Sequence, residues 1–186
     1  MSFYFRSMDS RVATNNTITK DEALGEWTNK IYFDSEADKP CSKNYAITDK
    51  ELRKQMKMLI EQDEKIFNVY AYRNPIWGWQ LTNFFMSHWF IVFETEKWWW
   101  SLEKNTEGIT IQRSEEQEFV LNRYRREKRP EPIVKIDSDK GNRNMNNLVE
   151  FLYRKDELYR KYNLYDDNCQ HFAKRIFDEI ANSKSL

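Results

Sequence analysis

Two cysteines, two histidines and no net charge in a 186-residue chain narrow the chemistry before any pattern is read. Two thiols, Cys41 and Cys169, do not make a disulfide framework, so a reducing compartment is the simpler expectation. The 30 basic residues are matched by 30 acidic ones. A broad electrostatic partner such as bulk nucleic acid is therefore not expected. No run approaches the ~18 apolar residues of a membrane helix. The start, M-S-F-Y-F-R-S-M-D, is too short and polar for a secretory leader. The chain reads as soluble and cytoplasmic, with no transmembrane segment. Two histidines and a helical cysteine are too few ligands for structural zinc, so no metal and no cofactor are expected. No internal repeat is visible.

What is abundant is aromatic: seven Trp, ten Tyr and twelve Phe. They are clustered, which suggests a ring-rich core and an apolar groove. Residues 1–45 are polar and irregular and read as an extension, with the domain proper spanning 46–186. Thr48-Asp49 caps a helix whose Leu52, Met56, Leu59 and Ile60 recur at helical spacing. H-W-F-I-V-F-E at 88–94, W-W-W-S-L-E at 98–103, G-I-T-I-Q-R-S at 108–114 and I-V-K-I at 133–136 read as strands separated by polar turns. The charged run 115–131 reads as a solvated surface. A helix is expected over 144–162 and another from Asn168 or Cys169 to about Asn182. The order gives an α+β domain built on an antiparallel β-meander packed against helices.

The last helix singles out Cys169. With roughly 100° per residue, Ala173, Ile176, Phe177 and Ile180 share its side, and Phe172 lies at the edge. His171, Lys174 and Asp178 fall opposite. Cys169 thus heads the buried face at the first turn, with Asp167 or Asn168 as N-cap. Free amides and the positive end of the helix dipole lower the pKa of a thiol placed there. The Cys169 amide is the first candidate for an oxyanion donor, with Gln170 or a residue before His88 as the second. Because His171 points away, the base must be His88, at the head of the most apolar strand. If the following turn centres on Thr95-Glu96, His88 lies opposite Glu103, with Ser101 and Gln112 on the same face. Ser101, Glu103 and Gln112 are the three candidates to orient the base.

N-C-Q-H-F-A at 168–173, preceded by Tyr162 and Leu164, resembles the cysteine motif of the lecithin retinol acyltransferase family. H-W-F-I-V-F at 88–93, followed by a hairpin and W-S-L, resembles that family's histidine strand. The likeness covers roughly residues 86–181, about half the chain. It implies a circularly permuted NlpC-type, papain-like thiol fold. It implies acyl transfer or hydrolysis through a thioester on a lipid or other acyl ester or amide, with Cys169 as nucleophile and His88 as base. A related permuted group cleaves isopeptide bonds, and a non-catalytic scaffold is the other alternative. The family's second histidine should fall near Ser101 and is missing here. Its C-terminal membrane-anchoring helix has no counterpart before K-S-L, so a soluble enzyme in at most peripheral contact with a membrane is expected. Trp77, Trp79, Trp98 and Trp100 are candidates to line an acyl groove.

Overall fold

The computed structural model describes residues 26–41, 43–75, 87–183 and 186. Among these residues nine strands and four helices run in the order β1 Lys30–Asp34, β2 Asn44–Thr48, α1 Asp49–Ile60, β3 Asn68–Pro75, β4 Ser87–Glu94, β5 Trp99–Asn105, β6 Gly108–Ser114, α2 Gln117–Leu121, β7 Arg123–Tyr124, β8 Glu127–Lys128, β9 Val134–Lys140, α3 Met145–Arg154 and α4 Cys169–Ile180. Seven strands form one sheet in the order β2-β1-β6-β5-β4-β3-β9, and β7 and β8 form a separate small hairpin. Strands β3 to β6 are a meander of consecutive antiparallel neighbours. Among the described residues only the β1–β6 pairing is parallel.

The sheet's two faces follow from the period-two alternation of its strands. Ile91 and Phe93 of β4, Trp100 and Leu102 of β5, and Ile109 and Ile111 of β6 join one buried cluster with α1, α3 and α4. Phe90 and Val92 face the other way, with Val120 of α2 and the rings of Tyr70, Tyr72 and Trp99. With both faces covered, β4 can be almost wholly apolar, as its sequence reads.

Three expectations change. Within residues 1–45, read as an extension, the chain forms β1 and begins β2 at Asn44, and Ile31 and Phe33 of β1 are fully buried. Alternation in I-Y-F lets β1 lay two side chains into the core, which a five-residue strand in a polar context conceals. The helix expected to reach residue 162 ends at Arg154, followed by Asp156 at φ 53°. The chain then turns, burying Leu158 in the core and Glu157 beside it. The charged run 115–131 is not wholly solvated, because Arg129 is 4% exposed.

The meander's first hairpin is also offset. Glu94 pairs with Trp99 rather than Lys97, because Thr95 is buried and closes the turn through its amide to the Trp98 carbonyl at 2.9 Å. Its hydroxyl also accepts from the Trp100 indole at 3.1 Å. The turn therefore falls on the exposed pair Glu96-Lys97. The offset is two residues, an even number, so every side chain keeps its expected face.

Candidate active site

Helix α4 begins at Cys169 because Asn168 caps it. The Asn168 carboxamide oxygen accepts from the amides of Gln170 at 2.9 Å and His171 at 3.1 Å. Phe172, Ala173, Ile176, Phe177 and Ile180 all sink into the core, as the helical wheel requires. Cys169, 3% exposed, is carried to the head of β4. The β4–β5 ladder runs from Glu94↔Trp99 only to Ile91↔Leu102, while β5–β6 continues to Asn105↔Gly108. The thiol lies at this unladdered end. Sγ stands 3.9 Å from the Ser87 carbonyl oxygen, beside the Trp89 amide.

His88 joins the thiol to an acid. Its Nε2 is 2.7 Å from Glu103 Oε2, and its ring is also hydrogen-bonded to Cys169. Burial favours the neutral imidazole, but the hydrogen bonds to Cys169 and Glu103 win and raise His88 to about 9. Burial likewise pushes the Cys169 thiol up, and the His88 hydrogen bond and charge, with the Trp89 amide, bring it below its ordinary value. The two opposed shifts move the pair toward its thiolate–imidazolium form.

Of the three candidate orienters, the structure brings Glu103 to His88. Ser101 accepts from Gln112 Nε2 at 3.0 Å, and Gln112 also bonds the Arg123 carbonyl. Both share the histidine's face but serve to tie the β7–β8 hairpin to the sheet. That hairpin delivers Arg129. Its guanidinium makes a two-pronged ion pair with Glu103, with Nη1 at 2.9 Å from Oε2 and Nη2 bonded to Oε1, and lies 3.9 Å over the Phe90 ring. Burial pushes the Glu103 carboxyl up, yet the Arg129 charge dominates and holds it at about 2.

Tyr162 completes the thiol's surroundings. Its Oη points at Sγ from 3.8 Å, and the Cys169 backbone amide lies beside it. Burial and the neighbouring thiol raise its pKa above the ordinary tyrosine value, so it is a protonated donor at neutral pH. Gln170 is not available as a second oxyanion donor, since its amide is spent on the Asn168 cap. His171, also on the cap at 3.0 Å, is exposed and apart from the thiol.

His88, Glu103 and Tyr162 form part of the wall of a cleft of about 350 Å³, together with Asn74, Asn105, Tyr124 and Arg129. Trp98 and Trp100 do not line it: both are buried in the core on the opposite face, with Arg113 4.2 Å over the Trp98 ring. Trp77 and Trp79 lie outside the described residues. Among the described residues no cluster of three or more His, Cys, Asp or Glu is placed to bind a metal ion.

A buried charge chain fixes the turn before the nucleophile. Lys104 Nζ, fully buried, is 2.9 Å from Asp167 Oδ2, and Arg175 bridges Asp167 and the buried Glu157 at 2.8 Å each. Thus Glu103 turns toward His88 on one face, while Lys104 reaches the cysteine turn from the other. Asp167 lies two residues from the thiol, and Lys104 and Arg175 balance its charge. In Lys104→Met the carboxylate bears more strongly on the thiolate. The pH midpoint of Cys169 alkylation should rise, and labelling at pH 6.5 should slow about two- to fivefold. Adding Asp167→Asn should reverse the change.

Arg129, Lys104 and the role of Tyr162 escape a reading of the sequence. Arg129 stands in a run of charge that has every mark of a solvated loop, and only its burial sets it apart. Tyr162 carries a weak signal, its fixed place seven residues before the cysteine. No helix among the described residues is long and apolar enough to cross a membrane. Comparison of the chain with protein-family models, with curated proteins and with solved structures finds no match.

Proposed function

We propose that this chain is a cysteine-dependent acyl hydrolase or acyltransferase that works through a thioester, on a permuted papain-like, NlpC-type arrangement like that of the lecithin retinol acyltransferase family. One observation carries the reading: His88 bonds a buried, arginine-held carboxylate through Nε2, and its ring also engages the thiol at the first turn of α4. A histidine with only a packing role has no need of that costly buried ion pair.

The Cys169 thiolate attacks the acyl carbonyl carbon, and the carbonyl electron pair moves to oxygen. The oxyanion is placed to accept from the Cys169 amide and the Tyr162 hydroxyl. As the tetrahedral adduct collapses, the bond to the leaving group breaks and His88 gives that group its proton. The neutral imidazole then takes a proton from water or from an acceptor alcohol or amine, which attacks the thioester and releases the thiol. Glu103, balanced by Arg129, keeps the ring in the required orientation. The acyl donor is a small molecule or a lipid; for a lipid, contact with the membrane is peripheral. Nucleic acid has no part in the scheme.

The test is the pH dependence of iodoacetamide labelling at Cys169, read by mass spectrometry beside the exposed Cys41. Cys169 should react well below pH 8 and keep a plateau until His88 loses its proton near pH 9. His88→Ala should cost Cys169 roughly tenfold or more at pH 7 and leave Cys41 unchanged. If Cys169 tracks Cys41 and ignores the mutation, a binding or scaffold role replaces the enzyme.

A further inference from the structure

The acyl chemistry leaves two carboxamides in the cleft unexplained. Asn74 of β3 is paired directly with His88 of β4. Continuing the β4–β5 register three residues past Ile91↔Leu102 puts Asn105 across from His88 on its other side. Directly opposed residues share a face of the sheet. The histidine is therefore flanked in one row by two asparagines, and all three line the cleft. Asn74 is 5% exposed, and its Oδ1 has no hydrogen-bond partner among the described residues; Asn105 Nδ2 is in the same condition. The Asn74 amide nitrogen donates to the Pro75 carbonyl at 2.9 Å, which settles which end of that carboxamide is the oxygen. Buried polar atoms without partners are uncommon in folded proteins and call for an explanation. Here the two atoms are a free acceptor and a free donor, on either side of the base. The χ2 well of asparagine is broad, so a small swing turns each toward a ligand.

We infer that Asn74 and Asn105 form a recognition site for an amide group of the substrate, its N–H donating to Asn74 Oδ1 and its carbonyl accepting from Asn105 Nδ2. This rests on the thiol-acyl reading above and narrows its substrate class to amides. An ester has no N–H to offer Asn74. The described part of the cleft wall is mostly polar, with Pro75, Pro130, Tyr124 and Tyr162 its apolar members. The occupant is a compact, polar, peptide-like amide.

The test uses two electrophiles of one shape, N-benzyl chloroacetamide and benzyl chloroacetate. With either, the Cys169 thiolate displaces chloride, forming a C–S bond as the C–Cl bond breaks. Labelling is read at Cys169 relative to Cys41 in the same molecule, which cancels the intrinsic difference between the probes. The amide should favour Cys169 over the ester by about tenfold, the equivalent of one charge-free hydrogen bond. Asn74→Ala should erase that preference while leaving ester labelling within about twofold, with circular dichroism reporting the fold. Asn105→Ala removes the donor to a carbonyl that both probes carry, so it should slow both at Cys169 and leave the amide preference. N-benzyl-N-methyl chloroacetamide, which has no N–H to offer Asn74, should lose the preference, and it serves if Asn74→Ala does not fold. Equal labelling by both probes, or an equal fall with both in Asn74→Ala, overturns the amide site while the thiol reading stands. If Cys169 outpaces Cys41 with neither probe, both readings fail together.

Discussion

Replacing Arg129 with methionine should lower stability by about 3–5 kcal/mol at pH 7, because it leaves the Glu103 carboxylate buried and uncompensated. Glu103 is 1% exposed, and among the described residues its cation besides the His88 ring is this guanidinium. For a domain of this size the loss corresponds to a fall in Tm of roughly 6–20 °C. The pH dependence gives the mechanism. Glu103 titrates at about 2 in the folded protein against an ordinary 4.5, so it binds protons less readily when folded. Its contribution is complete above pH 4.5 and is lost as pH falls toward 2. The wild type should therefore weaken through that window, and Arg129→Met should weaken much less, having already lost the term. Adding Glu103→Gln should recover most of the stability, since an amide needs no counter-charge. It should not recover reactivity at Cys169, because a neutral amide holds the imidazolium less firmly. A thermal melt of the single and double variants between pH 2 and pH 7 decides it. An Arg129→Met protein as stable as wild type would mean that Glu103 is charge-compensated in some other way.

Tyr162→Phe should reduce acyl-transfer turnover by about 10²-fold while barely changing alkylation of the thiol. Removing one oxyanion donor typically costs that much. Here the hydroxyl sits 3.8 Å from Sγ and beside the Cys169 amide, where the carbonyl oxygen of a thiol adduct would develop its charge. Alkylation forms no oxyanion, so iodoacetamide should label Cys169 in the variant within about threefold of wild type. Phenylalanine keeps the ring and its packing beside the core. A fall in both readouts together would instead make the hydroxyl a positioning group for the thiol. Measuring turnover with an amide substrate and labelling in parallel separates the two.

How much of this was legible without coordinates can be traced residue by residue. The head of α4 was, because a capped helix with an apolar stripe is a local object: Asn168, Cys169 and the positions of Phe172 through Ile180 are related by the helical repeat alone. The face shared by His88, Ser101, Glu103 and Gln112 was legible too. Alternation along a strand is local, and the actual hairpin differs from the expected one by an even offset. The offset itself was not, since it depends on Thr95 being buried against Trp98 and Trp100 from the far side of a turn. Nor could sequence choose among the three orienters. That choice was made by Arg129, which arrives from a hairpin 26 residues downstream and stabilises the one carboxylate within its reach. Tyr162 and Lys104 likewise gain meaning only because the chain breaks its helix at Arg154 and folds the next turn over the cysteine. What the sequence alone determined was therefore periodic: which residues cap, which share a face, which are buried. What the tertiary structure decided was pairwise and long-range, because charge compensation and register depend on contacts between segments that no local repeat encodes.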